Sequence, residues 1–122
     1  MRLAFSNGKI FTGQATESQM AILVNDGKVE ALVSDQEIPS SYSVQNIGGN
    51  TIAPALIDMQ IYGGNGKMFS HETTTAAIQS TYEYCLGGGC AWFMITMATN
   101  SIEKFVEGIE EVKKYTLRII FI

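Results

Sequence analysis

Histidine is almost missing from this chain: His71 is the only one in 122 residues. A single imidazole cannot build a His-rich metal centre. His71 lies in the polar stretch Ser70-His71-Glu72-Thr73 and reads as a solvated loop residue ahead of a helix. Cysteine is nearly as scarce, with Cys85 and Cys90 alone. They read as a metal pair, a disulfide, or simply two small buried hydrophobes. An excess of positive charge is also lacking. Eight Lys and Arg stand against twelve Asp and Glu, for a net charge of -4. Only Lys113 and Lys114 are adjacent, so there is no basic stripe for nucleic acid. The longest apolar stretch, Cys85 to Ala98, contains Gly87, Gly88 and Gly89 and falls short of the roughly 20 residues that cross a bilayer. The opening residues Met1 to Gly8 turn polar too early for a secretory signal. The expectation is a cytoplasmic protein with no nucleic-acid or membrane partner.

What is present is an ordinary globular composition, 46% hydrophobic and 16% charged, arranged in two patterns. Residues 1–53 read as β. Leu3 to Phe5, Asn7-Gly8 and Lys9 to Phe11 predict a tight hairpin, because Asn-Gly accepts the positive φ of a type I′ turn. Ala21 to Val24, Asp26-Gly27 and Val29 to Val33 repeat the device. Residues 34–46 are polar and turn-rich and read as a loop, and a short strand near Asn50 to Ile52 closes the module. At Pro54 the pattern changes. Ala55 to Ile61 predicts a buried strand, and Tyr62 to Lys67 a flexible glycine-rich loop. A helix starting near Thr73–Thr75, capped by a Thr side chain, should end at Gly87-Gly88-Gly89. Ala91 to Met97 predicts a second buried strand, with Trp92 and Phe93 in the core. Asn100-Ser-Ile-Glu103 has capping-box spacing. Ile102, Phe105, Val106, Ile109 and Val112 then recur at helical period, opposite a charged face. Thr116 to Ile122 reads as a final strand. Strand, helix, strand, helix, strand implies a parallel sheet.

The candidate functional residues sit at the join. Asp58 and Gln60 are two apart in an otherwise apolar strand, so they point to one side. Polar groups at the carboxyl end of a buried parallel strand are where barrel enzymes hold their chemistry. Asp58 serves either there or as a brace of the strand end. Gln60, neutral and a poor metal ligand, suits lining the site or orienting water and ligands. Tyr62 lines the same end or anchors the loop. Gly63 and Gly64 belong to a loop that either cradles a sugar or phosphate through backbone N–H groups or is a tight turn.

Asn7-Gly-Lys-Ile10, Asn25-Asp-Gly-Lys-Val29 and Ala53-Pro-Ala-Leu-Ile-Asp58, in this order, resemble the amidohydrolase superfamily, and within it the N-acetylglucosamine-6-phosphate deacetylases. The glycine-rich Gly63–Gly66, Thr96 and Ala98-Thr-Asn100 are similar to the same group, so the resemblance runs to about Tyr115. Most of the superfamily has His-x-His after the aspartate and Pro-Gly before it. Here Gln60 and Tyr62 hold the histidine positions, and Ala55 replaces the glycine. One deacetylase branch has Gln-x-Asn there and keeps a single metal, so Gln60 fits that branch at the first-strand metal position, and Tyr62 is a further variation.

The resemblance implies an α/β fold: the N-terminal part of a small β-sandwich (1–53), then the first βαβαβ units of a (β/α)8 TIM barrel (54–122). It implies an enzyme that hydrolyses the acetamide of N-acetylglucosamine 6-phosphate to glucosamine 6-phosphate and acetate, in amino-sugar catabolism. A divalent metal, zinc or iron-like, would activate the water; the partner would be the amino-sugar phosphate, and the full-length enzyme a homodimer. The family's Gly-x-His-x-Glu-Gly-Pro motif, its later histidines and its proton-handling aspartate have no match in these residues. A barrel takes about 250 residues, so the expectation is a truncated chain, inactive and metal-free alone, with an aggregation-prone end at Arg118–Ile122. Two alternatives remain at this stage: another amidohydrolase such as a cyclic-amide hydrolase, and a non-catalytic α/β module that binds a ligand or partner.

Overall fold

A computed structural model describes residues 1–119. It is a mixed, sheet-rich α/β structure in two compact units, Met1–Pro54 and Ala55–Ile122.

The first unit contains β1 (Arg2–Ser6), β2 (Lys9–Phe11), β3 (Thr16–Ser18), β4 (Met20–Asn25), β5 (Lys28–Ser34), β6 (Ser43–Asn46) and β7 (Thr51–Ile52). They form a four-stranded sheet in the order β5-β4-β1-β6 and a three-stranded sheet in the order β3-β2-β7. The β4–β5 hairpin is as read from Asp26-Gly27. Both residues have positive φ, 48° and 76°, as a type I′ turn requires, and Asn25 faces Lys28.

The first expected hairpin does not form. β1 and β2 lie in different sheets. Asn7 has a positive φ of 59°, but Gly8 does not, so the turn cannot close. The chain bends instead, and a second segment bends with it: β6 runs parallel to β1, and β7 parallel to β2. Hydrogen bonds hold the two segments together through the bend, Ile47 N to Ser6 O at 3.0 Å, Gly49 N to Asn7 O at 2.7 Å and Lys9 N to Asn50 O at 3.0 Å. The expected loop 34–46 therefore contains β6 and a 3₁₀ turn at Asp35–Glu37, because its polar residues still offer backbone groups to the edge of β1. Ala4, Ile10, Ala21 and Leu23 form the buried apolar set of this unit.

The second unit contains β8 (Leu56–Ile61), β9 (Gly63–Gly64), β10 (Lys67–Met68), α1 (Thr75–Gly87), β11 (Cys90–Ile95) and α2 (Ile102–Ile119). β8 and β11 pair in parallel. The expected loop at 62–67 is a small hairpin, β9–β10, closed by Asn65 (φ 51°) and Gly66 (φ 79°). α1 starts and stops where the sequence indicates. The Thr74 hydroxyl accepts from Ala77 N at 3.2 Å, and Gly89 takes a φ of 79° beyond the last turn. α2 is capped by Ser101, whose hydroxyl accepts from Lys104 N at 3.3 Å, and not by Asn100. Asn100 instead accepts from Ser101 N at 2.9 Å.

α2 runs on through Ile119, so Thr116 to Ile119 are helical and not the start of a strand. The remainder of that expected strand, 120–122, lies outside the described residues, as does most of the expected aggregation-prone end. The core of this unit is Phe69, Ala77 and Ile78, with Phe93, Ile95, Met97, Val112 and Tyr115 against it. Gly108 lets α2 approach: an added Cβ would stand 2.7 Å from Met97 Cε. Glu111 of α2 accepts from Thr75 N of α1 at 2.9 Å, placing a carboxylate at the positive end of that helix.

Neither strand is buried on both faces. Leu56, Ile57 and Met59 are exposed in β8, and Met94 and Trp92 in β11, with Trp92 71% exposed. Phe93 packs on the core as expected, but Trp92 does not. The two helices and the small hairpin are the cover the described residues supply.

Two expectations follow. Gly8→Ala should lower the urea midpoint of the first unit by an amount equivalent to about 2 kcal/mol or more. The new Cβ would meet the Asn50 carbonyl oxygen at 2.4 Å, and that oxygen is held by Lys9 N. Glu103 sits in the first turn of α2, where a backbone N–H and the Ser101 hydroxyl hold its carboxyl below the usual value of 4.5. Its contribution is therefore present above that value and lost as pH falls through the lower folded-state pKa. Helicity at 222 nm should decline on acidification in the wild type, with a smaller acid-dependent decline in Glu103→Gln.

Candidate functional site

β8 ends in three polar side chains at alternate positions, Asp58, Gln60 and Tyr62. They are linked locally. The Asp58 carboxylate accepts from Gln60 N at 2.9 Å, and Gln60 Nε2 donates to the Tyr62 hydroxyl at 2.6 Å. Asp58 is half-buried, while Gln60 and Tyr62 are exposed. The carboxylate thus braces the strand backbone, and the Gln60 amide is turned toward the phenol.

Two hollows open around this strand end. A groove of about 450 Å³ is lined by Tyr62, Gly63, Gly64, Lys67, Met68 and Tyr84. Asp58 lines a second depression of about 470 Å³, together with Ile61, Cys85 and Cys90. The five candidate residues therefore divide. Tyr62, Gly63 and Gly64 share the groove, Asp58 faces the other depression, and Gln60 joins them only through its hydrogen bonds.

The glycines are packing residues. A Cβ on Gly64 would stand 2.6 Å from Tyr84 Cβ and 3.0 Å from Thr81 Cα, so the hairpin rests directly on α1. Asn65 Nδ2 donates to Ser80 O at 3.1 Å, and the Ser80 hydroxyl to Gly64 O at 3.4 Å, fixing the same contact. Gly63 meets the Lys67 carbonyl, 1.9 Å from a Cβ placed there. Lys67 pairs with Glu72 at 3.4 Å, so the one cation in the groove is already opposed by a carboxylate.

Sequence reasoning passed over Lys67 and Tyr84. The available signal for Tyr84 was its place at i+3 from Thr81 and i+7 from Ala77, one continuous line along α1.

The metal the resemblance implies does not find its ligands here. Among the described residues no three of His, Cys, Asp and Glu converge on a point. Gln60, at the expected metal position, offers a neutral amide already hydrogen-bonded to Tyr62. His71 lies on an exposed turn, its N–H bonded to Met68 O. The described residues do not by themselves fit a catalytic metal.

Residues 3–52 match the family model of the NagA composite domain. The N-acetylglucosamine-6-phosphate deacetylase of Haemophilus influenzae is 25% identical over 115 residues, covering 94% of this chain and 30% of that protein. The chain resembles the N-terminal part of these deacetylases. The solved structure of the Pasteurella multocida deacetylase superposes with a TM-score of 0.90 over 96% of this chain and 31% of that one, at 22% identity, which establishes the fold. A D-hydantoinase reaches a TM-score of only 0.45 at 18% identity over 95% of this chain and 31% of its own. The chain thus spans about a third of the deacetylases it resembles. Among the described residues no helix is long and apolar enough to cross a membrane.

If Gly64 is a seat for α1, Gly64→Ala should destabilise the second unit by about 1–3 kcal/mol. Thermal unfolding followed by circular dichroism would measure it; an unchanged midpoint would show that the hairpin lifts off α1 freely.

Proposed function

We propose that this chain is the N-terminal part of a deacetylase of the amidohydrolase superfamily that releases acetate from N-acetylglucosamine 6-phosphate. The observation that carries the reading is continuity. The likeness to the Haemophilus influenzae enzyme runs through 115 residues without regard to the boundary between the two units. A match to the β unit alone would have allowed that module to be attached to any partner domain.

On this reading residues 1–53 are part of a β-sandwich, and residues 54–122 begin a (β/α)8 barrel with β8, α1, β11 and α2 as its first repeats. In such a barrel the carboxyl ends of the strands face the chemistry. Asp58 braces the end of β8, Gln60 lines the site, and Tyr62 holds the Gln60 amide in one orientation. An amide fixed in this way can order a water or a substrate hydroxyl without carrying charge. A divalent metal, zinc or iron-like, belongs to the proposal for the whole enzyme and would supply an activated water. The product assignment (glucosamine 6-phosphate), a role in amino-sugar breakdown, a cytoplasmic location and a homodimeric assembly belong to it as well.

The test is a chimera. The 115 matching residues replace the corresponding 30% of the Haemophilus influenzae enzyme, and acetate release from N-acetylglucosamine 6-phosphate is assayed with added zinc. The expected result is a folded protein with deacetylase turnover, and a Gln60→Ala chimera with kcat lowered about 10- to 100-fold. A folded, monodisperse chimera with no turnover would overturn the assignment. The 122-residue chain assayed alone is expected to release no acetate.

A further inference from the structure

The end of β8 is irregular. Phe93 faces Asp58 and Ile95 faces Ile61, so Met59 and Gln60 together oppose the single residue Met94. An extra residue of this kind bends a strand and re-aims a side chain. The Asp58 carboxylate accepts from Gln60 N at 2.9 Å inside this bulge. Thr96 N donates to Ile61 O at 2.7 Å and Phe69 N to Tyr62 O at 2.8 Å, which fixes the backbone beyond Gln60. The Gln60 and Tyr62 side chains are both exposed, so the hydrogen bond between them satisfies no buried group.

That bond has a polarity. Gln60 Nε2 donates to the Tyr62 hydroxyl oxygen at 2.6 Å. An amide nitrogen only donates, so the phenol accepts and its own hydrogen turns elsewhere. Among the described residues nothing takes that hydrogen, and nothing donates to Gln60 Oε1. The pair therefore holds two unlike groups side by side, an acceptor on Gln60 and a donor on Tyr62. Tyr62 also lines the groove of about 450 Å³ with Lys67, Met68 and Tyr84, which gives a ligand at the strand end room to lie.

We propose that Tyr62 is a specificity-determining residue: by accepting from Gln60 Nε2 it turns Gln60 Oε1 toward the ligand, and the pair takes the 2-acetamido edge of an amino sugar. The choice of sugar rests on the deacetylase reading; the polarity of the pair does not. An acetamide N–H donates and never accepts, so it requires an acceptor, and Gln60 Oε1 is one. The neighbouring C3 hydroxyl both donates and accepts, so it takes the Tyr62 hydrogen. The reverse orientation of the Gln60 amide would set one N–H against another. A sugar with no polar group at C2 leaves Oε1 without its donor, and a site built for a hydrogen bond discriminates against a ligand that cannot make it. Tyr62→Phe keeps the ring, removes the hydroxyl and releases the amide to rotate.

The experiment titrates the native 122-residue chain and follows it by proton–nitrogen NMR, with the Gln60 side-chain amide signals as reporter. The probes are N-acetylglucosamine 6-phosphate and 2-deoxyglucose 6-phosphate, which share the phosphate and differ at C2. The expected result is a preference of about 5- to 10-fold for the acetamido sugar, the size of one hydrogen bond. Tyr62→Phe should bring that preference below about 2-fold. Gln60→Glu, which keeps an acceptor, should retain it, and Gln60→Leu should lose it. Equal affinity for the two sugars, Gln60 signals that move with neither, or a preference unchanged in Tyr62→Phe would each overturn the proposal. The deacetylase assignment is tested separately, by turnover of the chimera. Acetate release without a C2 preference would remove this inference alone, and a C2 preference without acetate release would remove that assignment alone.

Discussion

Parallel neighbours in a sheet cannot be joined by a two-residue turn, because the chain must travel back along its whole length before it can run the same way again. Pairing β8 with β11 therefore obliges everything between them to lie off the sheet. The pairing is closed at both ends, by Leu56 N to Gly89 O at 2.9 Å and by Thr96 N to Ile61 O at 2.7 Å. Between those bonds the chain makes the β9–β10 hairpin and α1, and each must find its seat on what is already there. Gly64 gives the hairpin its seat on α1. Ala77 and Ile78 give α1 its place in the core with Phe93 and Ile95. Gly108 and Glu111 then dock α2, one by close approach and one by a carboxylate at the start of α1. The ladder's register is not uniform, with shifts at Cys90/Trp92 and Phe93/Ile95. Half-buried and exposed side chains nonetheless alternate from Ala91 to Ile95.

Three Asn-Gly or Asp-Gly pairs show how far local chemistry carries a reading. Asp26-Gly27 and Asn65-Gly66 close two-residue turns with both φ values positive. Asn7-Gly8 has the same composition and the same flanking pattern, yet it makes a bend between two sheets. What distinguishes it is distant in sequence. Residues 43–52 run alongside and bend at the same place, and their hydrogen bonds occupy the edges that a β1–β2 hairpin would have used. No window of ten residues contains that information. Much the same holds for Ser43–Asn46, whose polar composition reads as a loop but whose backbone is captured by β1.

Helix boundaries were legible because their causes are local. Thr74 as a cap and the triple glycine as a stop act within a few residues of where they stand. Burial was less legible. A run such as Leu56–Ile61 carries apolar residues on both faces and so reads as a strand covered twice. In the described residues the apolar side chains Leu56, Ile57 and Met59 remain exposed, because the sequence of a strand states what it can bury and not what is present to bury it.

The candidate site was legible as a set of residues but not as an arrangement. Alternation put Asp58 and Gln60 on one side of the strand, and hydrogen bonds run from Gln60 N to Asp58 and from the Gln60 amide to Tyr62. It could not show that Asp58 would turn its carboxylate to the strand's own backbone, nor that Gly64 would be consumed in packing against Thr81 and Tyr84 and Gly63 against the backbone of Lys67. A glycine against which a neighbouring residue already packs is poorly placed to yield its backbone to a phosphate. Of the two readings open for Gly63 and Gly64, close packing in a tight turn is the one this geometry supports. The polar groups left facing outward from the strand end are then the Gln60 amide and the Tyr62 phenol, and they are hydrogen-bonded to each other. A mutually oriented pair of this kind holds the Gln60 amide in one direction at the strand end, an arrangement suited to positioning a ligand.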